Sequence, residues 1–142
     1  MQIDPRWQDL AVIERLVRES RTVAVVGLSA DPTRPSHRVA SYLRASGLTV
    51  FPVNPALSTW EGLASYRSLA DLPRPVDIVD VFRRSEYVAQ VAREAVDASA
   101  GALWLQLGVL SVEAAEIAAA GGLDVVMDRC LMVEHREVVG WS

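Results

Sequence analysis

Gly27, Ser29, Arg34, Pro35 and Ser36 follow a β-branched apolar run, Thr22-Val23-Ala24-Val25-Val26. Each residue type suits an anion. Glycine lets the backbone approach a phosphate closely, serine hydroxyls donate hydrogen bonds, and arginine offers a planar fork of donors. A buried strand that turns at glycine into a helix N-terminus makes an anion site from freed amides and the helix dipole. Other polar groups stand just past later apolar runs: Val53-Asn54-Pro55, Phe82-Arg83-Arg84-Ser85, Gln106-Leu107-Gly108 and Asp128-Arg129-Cys130. Arg34 or Arg38, with one of Arg83 and Arg84, are candidates to neutralise phosphate charge.

Motifs for bond-making chemistry are weaker. The dinucleotide fingerprint G-x-G-x-x-G is missing, because Gly27 is the one glycine between Val26 and Gly47. Asn54 stands where an acid would bind a ribose hydroxyl. The phosphate-loop pattern G-x-x-x-x-G-K-[ST] is absent too, which argues against nucleotide hydrolysis. Asp77 and Asp80 lie three apart on an apolar run, a spacing that puts them on opposite faces of a strand. One is expected near the strand's start, the other in a structural hydrogen bond. His37 is either an anion partner or an exposed helix residue. Cys130, preceded by Asp128, is either buried or a thiolate stabilised by a helix N-terminus. Trp60 and Trp104 suit packing better than base stacking.

The elements that would position these residues alternate. Apolar spacing predicts a helix over 5–19, opened by Asp4-Pro5 and docking on a sheet. Strands are expected at Thr22–Val26, Thr49–Val53, 76–82, 102–106 and 123–127. Helices are expected at 35–46 with Gly47 behind it, 85–98 capped by Ser85, 111–120 capped by Ser111, and 129–136 capped by Asp128. Residues 56–72 read as loop with a helical turn, and 137–142 as a tail. Short apolar strands alternating with helices define an α/β fold: a doubly wound, Rossmann-like, five-stranded parallel sheet with helices on both faces. Ligands of such sheets bind beyond the carboxyl ends of the strands, where the polar groups collect.

The chain has 142 residues, a length that fits one domain over 1–142. Although 51% of residues are hydrophobic, no apolar run approaches the roughly 20 needed to span a bilayer. The polar N-terminus is not a secretory signal, so a cytoplasmic protein with no membrane partner is expected. One cysteine and two separated histidines give no disulfide framework and no metal site. A net charge of −4 without a basic tract argues against nucleic acid. A few local cations in an acidic chain suit a small anionic ligand.

The blocks GLSADPTRPS, PVNP, PVDIVDVFRRS, LWLQLGV and VVMDRC, in this order and spacing, resemble the small stand-alone CoA-binding proteins. Their Rossmann-like domain is similar to the N-terminal CoA-binding domain of the succinyl-CoA synthetase α subunit. The resemblance covers residues 21–136 and implies binding of coenzyme A, or acyl-CoA, through its ADP and pyrophosphate. It implies that Gly27, Leu28, Ser29, Pro35 and Ser36 form the phosphate loop. Val53, Asn54 and Pro55 would line the adenine and ribose side, and Phe82, Arg83 and Arg84 would close over the nucleotide. Gln106 and Gly108 would lie near the pantetheine path, where Cys130 could exchange with the ligand's thiol. The synthetase histidine belongs to a second domain, and neither His37 nor His135 matches its context. A non-catalytic carrier, sensor or regulator is therefore expected. The alternatives are an NAD(P)-dependent oxidoreductase, an acyl-CoA transferase fragment, or an interaction protein with a vestigial site. Gly27→Val is expected to abolish binding with the fold largely intact.

Overall fold

In the computed structural model residues 2–140 are described. The strand order explains where a ligand can sit. Five strands, β1 (Thr22–Val26), β2 (Thr49–Val53), β5 (Ile78–Val81), β6 (Ala102–Leu105) and β7 (Asp124–Met127), form a sheet in the order β2-β1-β5-β6-β7. All its pairings are parallel. The chain steps outward from β1 to β2, then returns to the other side of β1 as β5. Between β1 and β5 lies the switch point that doubly wound folds use for ligands.

The strands are apolar on both sides because both sides are covered. Val23, Val25, Ile78 and Trp104 pack with α1 (Leu10–Glu19), α2 (Pro35–Ala45) and α5 (Leu131–Val139). Ala24, Val79, Val81 and Leu103 pack with α3 (Val88–Asp97) and α4 (Val112–Ala120). The β1 and β2 bounds agree with those read from sequence. Helix α2 ends as expected: Gly47 has φ +98°, Leu48 N–H donates to Leu43 O and Gly47 N–H to Arg44 O, a Schellman closure.

Several expectations need correction. The predicted 5–19 helix is two pieces, a 3-10 turn at Pro5–Gln8 and α1, because the Asp9 side chain accepts from the amides of Ala11 and Val12 and starts a new helix. Residues 56–72 hold a two-stranded hairpin, β3 (Thr59–Trp60) with β4 (Leu63–Ala64), and a 3-10 turn at Leu69–Asp71. The third sheet strand starts at Ile78, since Asp77 turns its carboxylate to the amides of Arg21 and Thr22. Ser85 opens a 3-10 turn, Ser85–Tyr87, and its hydroxyl accepts from Leu110 N–H instead of capping α3. Asp128 does not cap α5. It sits at φ +59° and accepts from Gly108 N–H, and the helix starts after Cys130. Helix α5 runs on to Val139, so the predicted tail is helical over 137–139, and residues 141–142 lie outside the described residues. Among the described residues no helix is long and apolar enough to cross a membrane.

Candidate functional site

At the end of β1 the backbone must turn sharply beneath the end of β5. Gly27 does this at φ +85°, with its amide bonded to Val53 O. A β-carbon there would lie 2.5 Å from the carbonyl oxygen of Phe82. Glycine is therefore required by both conformation and space. Gly27→Val would strain the turn itself, which corrects the expectation that the fold would survive it largely intact.

The loop beyond Gly27 is fastened before any ligand arrives. Ser29 N–H donates to Ser36 Oγ (3.0 Å), and Ser29 O accepts from the indole N–H of Trp60 (3.1 Å). Leu28 O accepts from Asn54 Nδ2 at 2.9 Å. Asp31 takes both the amide and the hydroxyl of Thr33, and these bonds hold its carboxyl below the usual value, helped by attraction to Arg34 and His37. Pro35 opens α2, and among the described residues the amides of Leu28 and Ser36 make no hydrogen bond. The loop thus leaves donors free at a helix start.

Two cavities meet at this rim. The larger, about 720 Å³, runs from Gly27, Ser29 and Ser36 past Arg84 to Gln106 and Cys130. The smaller, about 340 Å³, lies over the end of β2 and includes Val53, Asn54, Pro55 and Arg67. Gly27, Phe82 and Arg83 belong to both, so the two form one elongated rim. Of the anticipated residues, Gly27, Ser29, Arg34, Pro35, Ser36, Phe82, Arg83, Arg84 and Gln106 line the larger cavity. Val53, Asn54 and Pro55 line the smaller. Leu28 and Gly108 line neither. The Leu28 side chain is buried in the core, and Gly108, at φ +83°, gives its amide to Asp128 while Leu107 and Val109 reach the wall.

Charge at the rim is largely uncompensated. Arg84 and Arg67 have no side-chain hydrogen bond, ion pair or ring contact among the described residues. Arg34 makes no ion pair, Arg38 donates to Thr33 O, and Arg83 lies over the Tyr87 ring at 5.2 Å. Elsewhere arginines are engaged: Arg15 with Asp124, Arg93 with Glu113, Arg129 with Glu134. Guanidinium groups left free at a concave rim suit an anionic ligand.

Other candidates fall outside the rim. His37 is buried at neither cavity. Its Nε2 is 3.2 Å from Glu61 Oε1 and its ring lies edge-on to Trp60. Asp77 and Asp80 are not a pair: Asp77 is the strand-start residue and also the hydrogen-bonded one. Asp80 is fully buried with neither oxygen partnered, and burial pushes its carboxyl well above the usual value. Trp60 and Trp104 are packing residues, each with its indole N–H on a loop carbonyl. Gln106 is both wall and brace, since its Oε1 accepts Leu131 N–H at the start of α5. Sequence reasoning missed Arg67, Ser68 and Glu94 on the smaller cavity. Their signal was weak, because Arg67 and Ser68 reach that edge only through the β3–β4 hairpin and Glu94 lies in the middle of α3, away from any strand end.

A parallel α/β sheet with cations at its switch point places the protein in the Rossmann-like class. The chain belongs to the CoA binding domain family, whose model matches residues 21–136. It is 38% identical over 125 residues to the uncharacterized protein YneT of Bacillus subtilis (strain 168), covering 88% of this chain and 93% of that one. A solved structure from Thermus thermophilus is similar with a TM-score of 0.86 at 39% identity, covering 92% of this chain and 98% of that one. The dinucleotide forming acetyl-coenzyme A synthetase 1 of Ca. Korarchaeum cryptofilum, in complex with phosphate and ADP, is similar over 78% of this chain with a TM-score of 0.67 and 26% identity. That match covers 26% of the larger protein.

Proposed function

We propose that this chain binds coenzyme A, free or acylated, through its ADP and pyrophosphate at the carboxyl rim of the sheet. It acts there as a carrier, sensor or regulator and does not itself make or break bonds. The observation that carries the reading is the 720 Å³ cleft at the β1–β5 switch point, edged by arginines that make no ion pair among the described residues. A pyrophosphate beside the Gly27–Ser29 turn meets the unbonded amides of Leu28 and Ser36 at the start of α2, with Arg34 and Arg84 balancing its charge. The adenosine end lies over β2 beside Val53, Asn54 and Pro55 in the smaller cavity. The pantetheine arm follows the larger one toward Gln106 and Cys130. Among the described residues no nucleophile and base converge on this cleft: Asp80 and His37 both lie away from it.

Native mass spectrometry with equimolar coenzyme A and NAD tests the reading. One added coenzyme A per chain, with NAD left free, is the expected result. Retention of NAD in preference to coenzyme A would overturn it.

A further inference from the structure

Coenzyme A differs from its dephospho form by a phosphate on the ribose 3′-oxygen. We propose that Arg67 recognises this 3′-phosphate and so sets the preference for coenzyme A over 3′-dephospho-coenzyme A. The inference rests on the reading that coenzyme A is the ligand. In doubly wound folds the ribose lies past the second strand, where an acid binds its hydroxyl or an arginine takes a ribose phosphate. Here the acid's place is held by Asn54, and that side chain is already used: Nδ2 donates to Leu28 O and Oδ1 accepts Ala56 N–H at 2.8 Å. The chain supplies a substitute from outside the sheet. Tyr66 bridges Val53 in the parallel sense, donates its amide to Pro52 O and accepts from Asn54 N–H. This added edge leaves Arg67, the next residue, beside the carboxyl end of β2.

The Arg67 side chain is exposed and lines the smaller cavity together with Asn54, Pro55 and Arg83. No hydrogen bond, ion pair or ring contact engages it among the described residues. Its neighbours cannot replace it. The Ser68 hydroxyl donates to Asp71 Oδ2 at 3.1 Å, and Arg83 is held over Tyr87. Glu94, on the same cavity, would repel a phosphate and forms no ion pair with Arg67. A free guanidinium at the ribose end of the rim is what a terminal phosphate dianion needs.

Isothermal titration calorimetry of the full chain with coenzyme A and with 3′-dephospho-coenzyme A tests this assignment. The wild-type chain should bind coenzyme A at least about tenfold more tightly. In Arg67→Gln that preference should vanish through weaker coenzyme A binding alone, with the dephospho ligand held as before. Arg67→Lys should keep part of it, and Glu94→Gln should widen it. Since Arg67 is exposed and unpartnered, a native circular dichroism spectrum is expected for Arg67→Gln. Equal affinities for the two ligands in the wild type, or a preference that survives Arg67→Gln, would overturn the assignment. Wild-type protein that binds neither ligand would remove coenzyme A itself, and the role of Arg67 with it.

Discussion

The two walls of the cleft are built differently. On the β1–α2 side, Ser29, Ser36, Asn54, Trp60 and Thr33 tie the loop by hydrogen bonds on both its inner and outer edges. On the β5–α3 side, the 3-10 turn Ser85–Tyr87 has no side-chain cap, and the Arg84 side chain makes no hydrogen bond or ion pair among the described residues. The first wall is fixed in shape and offers backbone donors. The second offers charge, from the unpaired Arg84 and from Arg83 over the Tyr87 ring. A phosphate site needs both: preset geometry lowers the ordering cost of binding, and arginines without a carboxylate partner supply the opposing charge.

Three substitutions separate turn geometry from charge, and the largest effect belongs to Gly27→Val. A β-branched side chain at φ +85°, with its β-carbon 2.5 Å from Phe82 O, should cost about 3 kcal/mol of stability and remove ligand binding together. Urea unfolding and calorimetry on one sample would check this. Wild-type stability in the variant would mean that the turn is less rigid than described. Removing rim charge, from Arg34 at the start of α2 and from Arg84 on the β5–α3 side, should do the reverse. Arg34→Ala with Arg84→Ala should weaken coenzyme A binding on the order of tenfold for each arginine, with stability changed by less than about 0.5 kcal/mol. A drop in stability without loss of affinity would assign those side chains to the scaffold.

Asp80→Asn should leave the rim untouched and appear only in the pH dependence of stability. Burial keeps the Asp80 proton on in the native state, whereas the unfolded chain gives it up above 3.8. Below that value the two states bind the proton alike; above it the unfolded chain is favoured, so this group's contribution declines as pH rises. Relative to wild type, Asp80→Asn should therefore gain stability as pH rises from 3.8 toward neutrality. Urea midpoints across that range read the difference, and parallel curves for the two proteins would count against it.

Most of the scaffold could be read from sequence because parallel strands buried on both faces leave a strong mark. Thr22–Val26 and Thr49–Val53 are apolar and buried from their second residue on, and each polar group beyond them sits where a strand must stop. What escaped notice depends on contacts between distant segments. Asp128 before a helix looks like a cap, yet its carboxylate serves Gly108, twenty residues back. His37 looked exposed or anion-facing because Glu61 and Trp60, which enclose it, come from a hairpin with strands too short to carry a period. The same hairpin brings Arg67 to the rim. For Leu28, membership in the loop was legible, but the inward turn of its side chain was not.

The hydrogen bond from Trp60 to Ser29 has an optical consequence. Trp60 is buried against the His37 ring, and its indole N–H rests on a carbonyl of the phosphate loop. Trp7 lies in the core on the opposite side of the sheet, and the Trp104 indole rests on Arg129 O. An anion that polarises the loop backbone changes the electric field along the Trp60 indole far more than along those of Trp7 and Trp104. The protein thus carries its own fluorophore for occupancy, and a shift in its emission reports the ligand without any label.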